Sequence, residues 1–214
     1  MLNLTKELLA SGITRWASTL TKRLVNSPFF RREICSSELS DRGGCLRGRL
    51  PKECRTQFRE FRYHPVLELQ GAISSGDKKP QNADLQTFYP LFPSGLYYGD
   101  MVFTSGSLNA IVTHPSLAMQ LSKSLSLKVD SFFLWRQRTT DGLYSQSGMF
   151  LRMGQTSLSR YVGATQDLSI GWHVDRDITV RFLAAYYEVG PYLRETQPPA
   201  RDTTYLSGIA SYTF

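Results

Sequence analysis

The chain has 214 residues, of which 41% are hydrophobic, 12% aromatic and 20% charged, with a formal net charge of +7. This length suits one large domain or two small ones. No run of roughly 20 apolar residues occurs, so the sequence excludes a membrane-spanning helix.

The positive charge is confined to the first part of the chain. Residues 1–63 contain 13 Lys and Arg against 6 Asp and Glu, whereas residues 64–214 contain 12 of each. The three cysteines, Cys35, Cys45 and Cys54, also precede residue 64. The sequence therefore divides at residue 63, and the high isoelectric point describes only the first part.

Residues 1–63 are predicted to be a basic leader that is disordered or forms a short helix, and that is foreign to the fold that follows. Charges interrupt its start, so it does not read as a secretory signal peptide. The cysteines are ten and nine residues apart, which does not fit a zinc motif. Non-specific RNA binding by "RGGCLRGR" is the less favoured alternative, and no nucleic-acid partner is expected.

From residue 64 the sequence predicts an all-β fold of about six antiparallel strands. Segments of about ten residues alternate between apolar and polar positions, the pattern of transmembrane β-strands. In one of them, Leu127 and Val129 fall on one face and Lys128 and Asp130 on the other. The six segments are VLELQGAI (66–73), SLAMQL (116–121), LSLKVDSFFLW (125–135), VGATQDLSIGW (162–172), ITVRFLAAYYE (178–188) and YLSGIASYTF (205–214).

The connections between these segments alternate in length. Residues 122–124 and 175–177 make tight turns, whereas residues 74–110, 138–159 and 190–203 make long connections. Short turns at one end and long loops at the other are typical of outer-membrane barrels, and less so of soluble sandwiches.

Several motifs resemble the alginate export family of Gram-negative outer-membrane porins. The resemblance covers roughly residues 65–214 and implies a monomeric barrel of many strands in the bacterial outer membrane, with a basic lumen that passes an anionic polysaccharide outward. The motifs, in order, are "ELQGAISSGDKKPQNADLQTFYPLFPSGLYYGD" (68–100), "HPSL" (114–117), "FFLWRQRTTDGLY" (132–144), "RYVG" (160–163) and "RET" (194–196).

The chain departs from that family in strand number. Six strands correspond to about the last third of such a barrel, and open sheet edges in lipid cost several kcal/mol for each unpaired backbone group. We therefore predict an incomplete transmembrane β-barrel, most simply a truncated or frame-shifted copy. A split barrel completed by a partner chain is the second alternative.

If the apolar faces meet lipid, the polar faces line the lumen. Arg and Lys there are suited to carboxylate polymers, and the acidic residues would keep binding weak enough for release. Solvated charges on a polar strand face are the simpler alternative. The predicted lumenal residues are Lys128, Asp130, Arg136, Asp167 and Arg181; those predicted at the pore mouth are Arg138, Arg152, Arg160 and Arg194.

Catalysis finds little support. Ser169 and His173 lie four apart on one strand face, about 13 Å by strand rise, too far to hydrogen-bond. No GxSxG or HExxH motif occurs. We expect no enzyme, no cofactor and no metal.

The last segment ends on Tyr212 and Phe214, which share a strand face. The family resemblance implies that such terminal aromatics form the signal read by the barrel-assembly machinery. The expected partners are thus anionic polysaccharide, outer-membrane lipid and that machinery. The rival hypothesis is a soluble all-β interaction module whose basic leader binds nucleic acid or an acidic surface.

Overall fold

The structure, a computed structural model, describes residues 63–79, 86–88, 106, 108–145 and 147–214, together with the backbone of two earlier strands. It contains ten strands and one short helix. In chain order they are β1 (Glu33–Ser37), β2 (Arg49–Gln57), β3 (Val66–Ile73), β4 (Ala110–Gln120), β5 (Leu125–Arg136), β6 (Leu143–Tyr144), β7 (Phe150–Arg152), β8 (Tyr161–His173), β9 (Ile178–Val189), α1 (Pro191–Glu195) and β10 (Thr203–Tyr212).

Eight strands form one antiparallel sheet in the order β1-β2-β3-β4-β5-β8-β9-β10, and β6 and β7 form a separate hairpin. Each of the six predicted segments lies within or overlaps one strand of the sheet. The antiparallel all-β prediction is therefore confirmed. Among the described strands, β1 and β10 each pair on one side only, so the sheet is open.

One strand is longer than its sequence pattern indicated. β4 begins at Ala110, six residues before the predicted segment, and contains Pro115 near its middle. A proline cannot donate to the backbone ladder. The register with β5 correspondingly runs to Thr113 and resumes at Ser116.

The sheet also extends upstream of residue 63. β2 pairs with β3 from Gln57 opposite Val66 to Arg49 opposite Ile73, and β1 pairs with β2. At these two strands the structure differs from the predicted separation of the leader from the fold. β2 pairs with β3 through the backbone, and β1 pairs with β2, although the sequence of these strands shows no alternation of apolar and polar residues. The remainder of the predicted leader lies outside the described residues.

The two faces of the sheet have opposite polarity, and the polar face is the buried one. Its buried side chains on β4, β5 and β8 are His114, Ser116, Asp130, Thr165, Asp167 and Ser169. On the other face, Phe182 is 53% exposed and Leu206 is 75% exposed. This is the reverse of a sheet that folds in water.

A small apolar core closes the polar face at the end where the long connections lie. A bulge between Leu134 and Trp135 shifts the register with β8. The buried members of the core are Ala110, Val112, Phe132, Leu134, Leu143, Val162, Val189, Tyr192 and Leu193. The five-residue α1 begins with Pro191 at its first turn and buries Tyr192 and Leu193. No helix in the described ranges is long and apolar enough to cross a membrane.

The opposite end of the sheet carries the tight turns and the C-terminus. At the turn between β8 and β9, Asp175 accepts hydrogen bonds from the backbone N–H groups of Asp177 and Ile178 at 2.9 and 2.7 Å. The N–H of Thr213 donates to the carbonyl of Asp177 at 2.9 Å. The last residues are therefore attached to this end of the sheet.

Gly163 provides a test of how closely β8 and β9 pack. Its φ is +157°, and a Cβ atom there would lie 2.5 Å from the carbonyl oxygen of Glu188. We expect Gly163→Ala to lower the free energy of unfolding by about 1–3 kcal/mol, because backbone atoms must move apart. The measurement is denaturant unfolding of the chain in detergent micelles, followed by tryptophan fluorescence.

Gly208→Ala is the matched control, because a Cβ at that position meets only ring atoms of Phe182 at 3.7 Å. It should change stability by less than about 1 kcal/mol. Equal losses in the two variants would contradict this account of β8–β9 packing.

Candidate functional site

A buried arginine organises the end of the sheet that carries the long connections. Arg136, the last residue of β5, is 0% exposed. Its guanidinium donates six hydrogen bonds of 2.6–3.2 Å to the backbone carbonyl oxygens of Thr139, Asp141, Gly154, Ser157 and Ser159. The side chain therefore holds the two ends of the connection between β5 and β8 together against the sheet.

Tyr192 of α1 covers the guanidinium. The Cζ of Arg136 lies 3.7 Å from the centre of the Tyr192 ring, a cation–π contact. The Tyr192 hydroxyl donates to the carbonyl of Met153 at 3.0 Å. Burial raises the pKa of Tyr192, with Arg136 acting in the opposite direction. The phenol thus stays neutral and joins α1 to the same connection.

Asp141 links two long connections through one carboxylate. Its Oδ2 accepts from the backbone N–H of Asp77 at 2.8 Å and from the Thr87 hydroxyl at 2.7 Å. Its Oδ1 accepts from the N–H of Gly142 at 2.7 Å and from the Tyr144 hydroxyl at 2.6 Å. Burial and the hydrogen bond to Asp141 raise the pKa of Tyr144. Four donors therefore converge on a buried anion.

Asn109 hydrogen-bonds to the start of the connection between β5 and β8, and its side chain accounts for the glycine at position 76. Its side-chain amide donates to the carbonyls of Arg138 and Gly142 at 3.0 and 2.9 Å, and its Oδ1 accepts from the N–H of Arg138 at 2.7 Å. A Cβ on Gly76 would lie 2.0 Å from that Oδ1. Position 76 therefore has no room for a side chain.

We call Asp77, Thr87, Asn109, Arg136 and Asp141 the loop junction. Its members are far apart in sequence, and four of them lie within the quoted motifs that carry the family resemblance. Sequence reasoning did not single out Asp141, Asn109 or Thr87. The available signal was that "SGD" and "TTDG" each come shortly after a predicted strand, at the start of a long connection.

The RET motif belongs to the same end. Glu195 accepts from the hydroxyls of Ser157 and Ser159, the latter at 3.0 Å. Arg194 pairs with Asp202 at 3.2 Å, and Asp202 also accepts from the N–H of Val189 at 2.8 Å. This backbone hydrogen bond, together with Arg194, lowers the pKa of Asp202.

Four of the five predicted lumenal residues share the polar face. Asp130, 2% exposed, accepts from Lys128 at 3.0 Å and contacts His114 at 2.9 Å, both through Oδ1. Asp130 stands directly opposite Asp167 in the register between β5 and β8. One strand further on, the Nε of Arg181 donates to the Ser169 hydroxyl at 3.4 Å.

The fifth, Arg136, is placed differently from the prediction. Its guanidinium is enclosed by loop carbonyls and the Tyr192 ring rather than presented on the open part of the polar face. The sequence pattern put Arg136 on the polar face, but it did not indicate that the side chain is fully buried. The carbonyl partners lie 3–23 residues downstream, in the connection between β5 and β8.

The four arginines predicted at the pore mouth lie at the end with the long connections. Arg152 donates to the carbonyl of Gln197 at 3.0 Å, and Arg194 is paired with Asp202. Arg160 is exposed and Arg138 partly buried. Their role in contacting a solute stays a prediction.

Ser169 and His173, the pair considered for catalysis, each contact a different residue. His173 contacts the Thr179 hydroxyl through Nδ1 at 3.0 Å. In the part of the chain that the structure describes, no group of three or more His, Cys, Asp or Glu side chains could hold a metal ion.

Comparison with known families agrees with the motifs. A family model described as "Alginate export" matches residues 52–206. The match includes most of β2 and continues into β10, so it begins upstream of the predicted boundary at residue 63. A search of curated proteins finds no match.

Asp141→Asn tests whether the loop junction is held by one anion. The amide would direct an NH2 group at two of the four donors, so we expect a loss of at least about 2 kcal/mol in the free energy of unfolding. Faster limited proteolysis of the long connections should accompany it. Urea unfolding and digestion time courses in detergent micelles provide the two readouts.

Asp177→Asn, at the exposed turn on the other end, is the control and should change neither readout appreciably. Unchanged stability and digestion in Asp141→Asn would show that the long connections are held independently of this carboxylate.

Proposed function

The chain belongs to the alginate export family, and we propose that it forms the wall of an outer-membrane channel for anionic polysaccharide or smaller anionic solutes. The family consists of transport porins rather than enzymes, so the proposed role is passage and not catalysis. The observation that carries the proposal is the inverted polarity of the sheet.

The apolar face is suited to lipid. Its exposed large side chains include Leu168, Trp172, Phe182, Tyr186 and Leu206, contributed by β8, β9 and β10. Each such side chain left in water forgoes about 1.5–3 kcal/mol of transfer free energy. A continuous apolar surface of this kind marks a membrane or protein contact. Alternating strands with the apolar side outward are the pattern of outer-membrane walls.

The polar face supports the passage of anions. Lys128 and Arg181 present cationic groups on adjacent parts of this face, and Asp130 anchors Lys128 at 3.0 Å. A guanidinium or ammonium held by a neighbouring carboxylate attracts a passing anion but binds it weakly enough to release it. Selectivity would then come from the balance of these charges.

The two sheet edges require partners in lipid. The outer edges of β1 and β10 have no described strand beside them. Unpaired backbone groups are too costly in the hydrocarbon region. We therefore propose that further strands complete the wall, either by closure within a larger barrel or by a partner chain.

Adjacent residues of β10 provide a matched test of the lipid face. Leu206 points to the apolar face and Ser207 to the polar face. Leu206→Lys should lower the yield of membrane-inserted protein strongly, because a lysine in the lipid costs up to about 2–4 kcal/mol near the midplane. Ser207→Lys should insert nearly as well as the unchanged chain.

The measurement is flotation of urea-unfolded chain added to lipid vesicles, together with protease protection. In a soluble module Leu206, already 75% exposed, would tolerate lysine as well as Ser207 does. Equal recovery of both variants with the vesicles would favour the soluble interaction module instead.

We further propose that Tyr212 and Phe214 form the assembly signal. Their rings stack with centroids 6.4 Å apart, and Phe214 is fully exposed at the end with the tight turns. A fully exposed aromatic adds little to the stability of the fold, and its ring is accessible to another protein.

Phe214→Ser should therefore remove the acceleration of insertion by the assembly machinery while leaving spontaneous insertion unchanged. The experiment compares insertion rates into vesicles with and without reconstituted machinery. Tyr205→Ser, an exposed aromatic on the same strand, is the control. A similar acceleration for Phe214→Ser and the unchanged chain would contradict the role of Phe214.

A further inference from the structure

A chain of hydrogen bonds crosses three strands at the centre of the polar face. The Nε2 of His114 lies 2.9 Å from Asp130 Oδ1, and its Nδ1 lies 3.4 Å from Gln70 Oε1. The side-chain nitrogen of Gln70 donates to Glu68 at 2.5 Å. Lys128 completes the chain on Asp130 at 3.0 Å.

The direction of the Gln70 amide follows from Glu68. A carboxylate accepts hydrogen bonds, so the Gln70 nitrogen must face it. The amide oxygen is thereby left for His114. Turning the amide over would place two acceptor oxygens, one of them on a carboxylate, against each other.

The ring of His114 thus has an acceptor oxygen at each nitrogen. Asp130 receives Lys128 on the same oxygen, which fits a carboxylate rather than an acid group. A neutral imidazole has one N–H and one lone pair, so it can satisfy only one of two acceptors. An imidazolium satisfies both. The ring is 5% exposed and packs edge-on against Phe132, at 6.1 Å between ring centres.

We propose that His114 is held as an imidazolium and acts as a fixed positive charge within the polar face, through the hydrogen-bond chain Glu68–Gln70–His114–Asp130. The groups that face it are Gln70 and Glu68 on β3 and Asp130 and Lys128 on β5. The sequence places His114 at the start of the HPSL motif, but its partners Gln70 and Asp130 come from two other strands and are not indicated by that motif.

The consequence is a balance of charges on the middle of the sheet. On strands β3 to β9, the carboxylates of Glu68, Asp130 and Asp167 share this face with Lys128, Arg181 and the imidazolium of His114. A neutral His114 would make one hydrogen bond fewer and would remove one of the positive charges from the middle of this face. Resting on the proposed function, anion passage would then weaken as the pH rises.

The test is nuclear magnetic resonance of the full chain in detergent micelles with 15N-labelled histidine. His64→Gln, His114→Gln and His173→Gln assign the three rings. At neutral pH, both His114 nitrogens should resonate in the range of protonated nitrogens. His173 is the internal comparison, because its Thr179 partner is a hydroxyl that can donate or accept.

Glu68→Gln tests the mechanism. The new amide can donate to the Gln70 oxygen, which lets Gln70 turn and donate to His114; one His114 nitrogen should then move to the unprotonated range. Glu188→Gln, on the other sheet face, should change nothing. If Glu68→Gln fails to fold, the spectrum of the unchanged chain decides alone.

One unprotonated His114 nitrogen at neutral pH in the unchanged chain would overturn the proposal. This outcome says nothing about transport, because the spectrum is recorded in micelles without solute. Conversely, failure of the vesicle experiment with Leu206→Lys would overturn the membrane role and leave the protonation of His114 intact.

Discussion

The buried face of this sheet is polar, and the other features of the structure follow from the need to give its polar side chains partners within the protein. In a water-soluble sheet the buried face is apolar and is stabilised by packing against the core. Here the buried face carries carboxylates, an imidazole and ammonium and guanidinium groups. Buried charges are tolerated when they are paired and hydrogen-bonded. Pairing between charged side chains therefore holds the strands in place as much as the packing of apolar side chains does.

The two ends of the sheet satisfy their polar groups in different ways. At one end, tight turns are stabilised locally, as where Asp175 accepts hydrogen bonds from the N–H groups of Asp177 and Ile178. At the other end, Arg136 and Asp141 hold the long connections together. The Arg136 guanidinium donates to backbone carbonyl oxygens, and the Asp141 carboxylate accepts from N–H and hydroxyl groups. The two ions lie in the same junction, yet each is satisfied mainly by neutral dipoles.

The sequence predicted the regular parts of this structure and missed the parts that depend on distant partners. Period-two alternation located the six strands of the large sheet from Val66 onward, because the two faces of that sheet differ strongly in polarity. β2 was missed because its residues do not alternate and its pairing comes from β3. Arg136 was assigned to the correct face, but its carbonyl partners belong to a connection whose path the pattern does not encode. Asp141 lies within the motif at residues 132–144, but only the fold shows that its carboxylate joins two long connections.

The loop junction has a practical consequence for protein engineering. Long surface connections are usually the first choice for inserting a tag or a reporter domain, since most tolerate added residues. In this chain the connections after β3 and β5 share the Asp141 carboxylate, so an insertion close to Asp77 or Thr87 would disturb both at once. The short turn at residues 175–177 is stabilised mainly by the Asp175 side chain and has one further hydrogen bond, from the N–H of Thr213 to the carbonyl of Asp177. Epitope tags and circular-permutation breaks are therefore better placed at the shorter connection than at the longer ones.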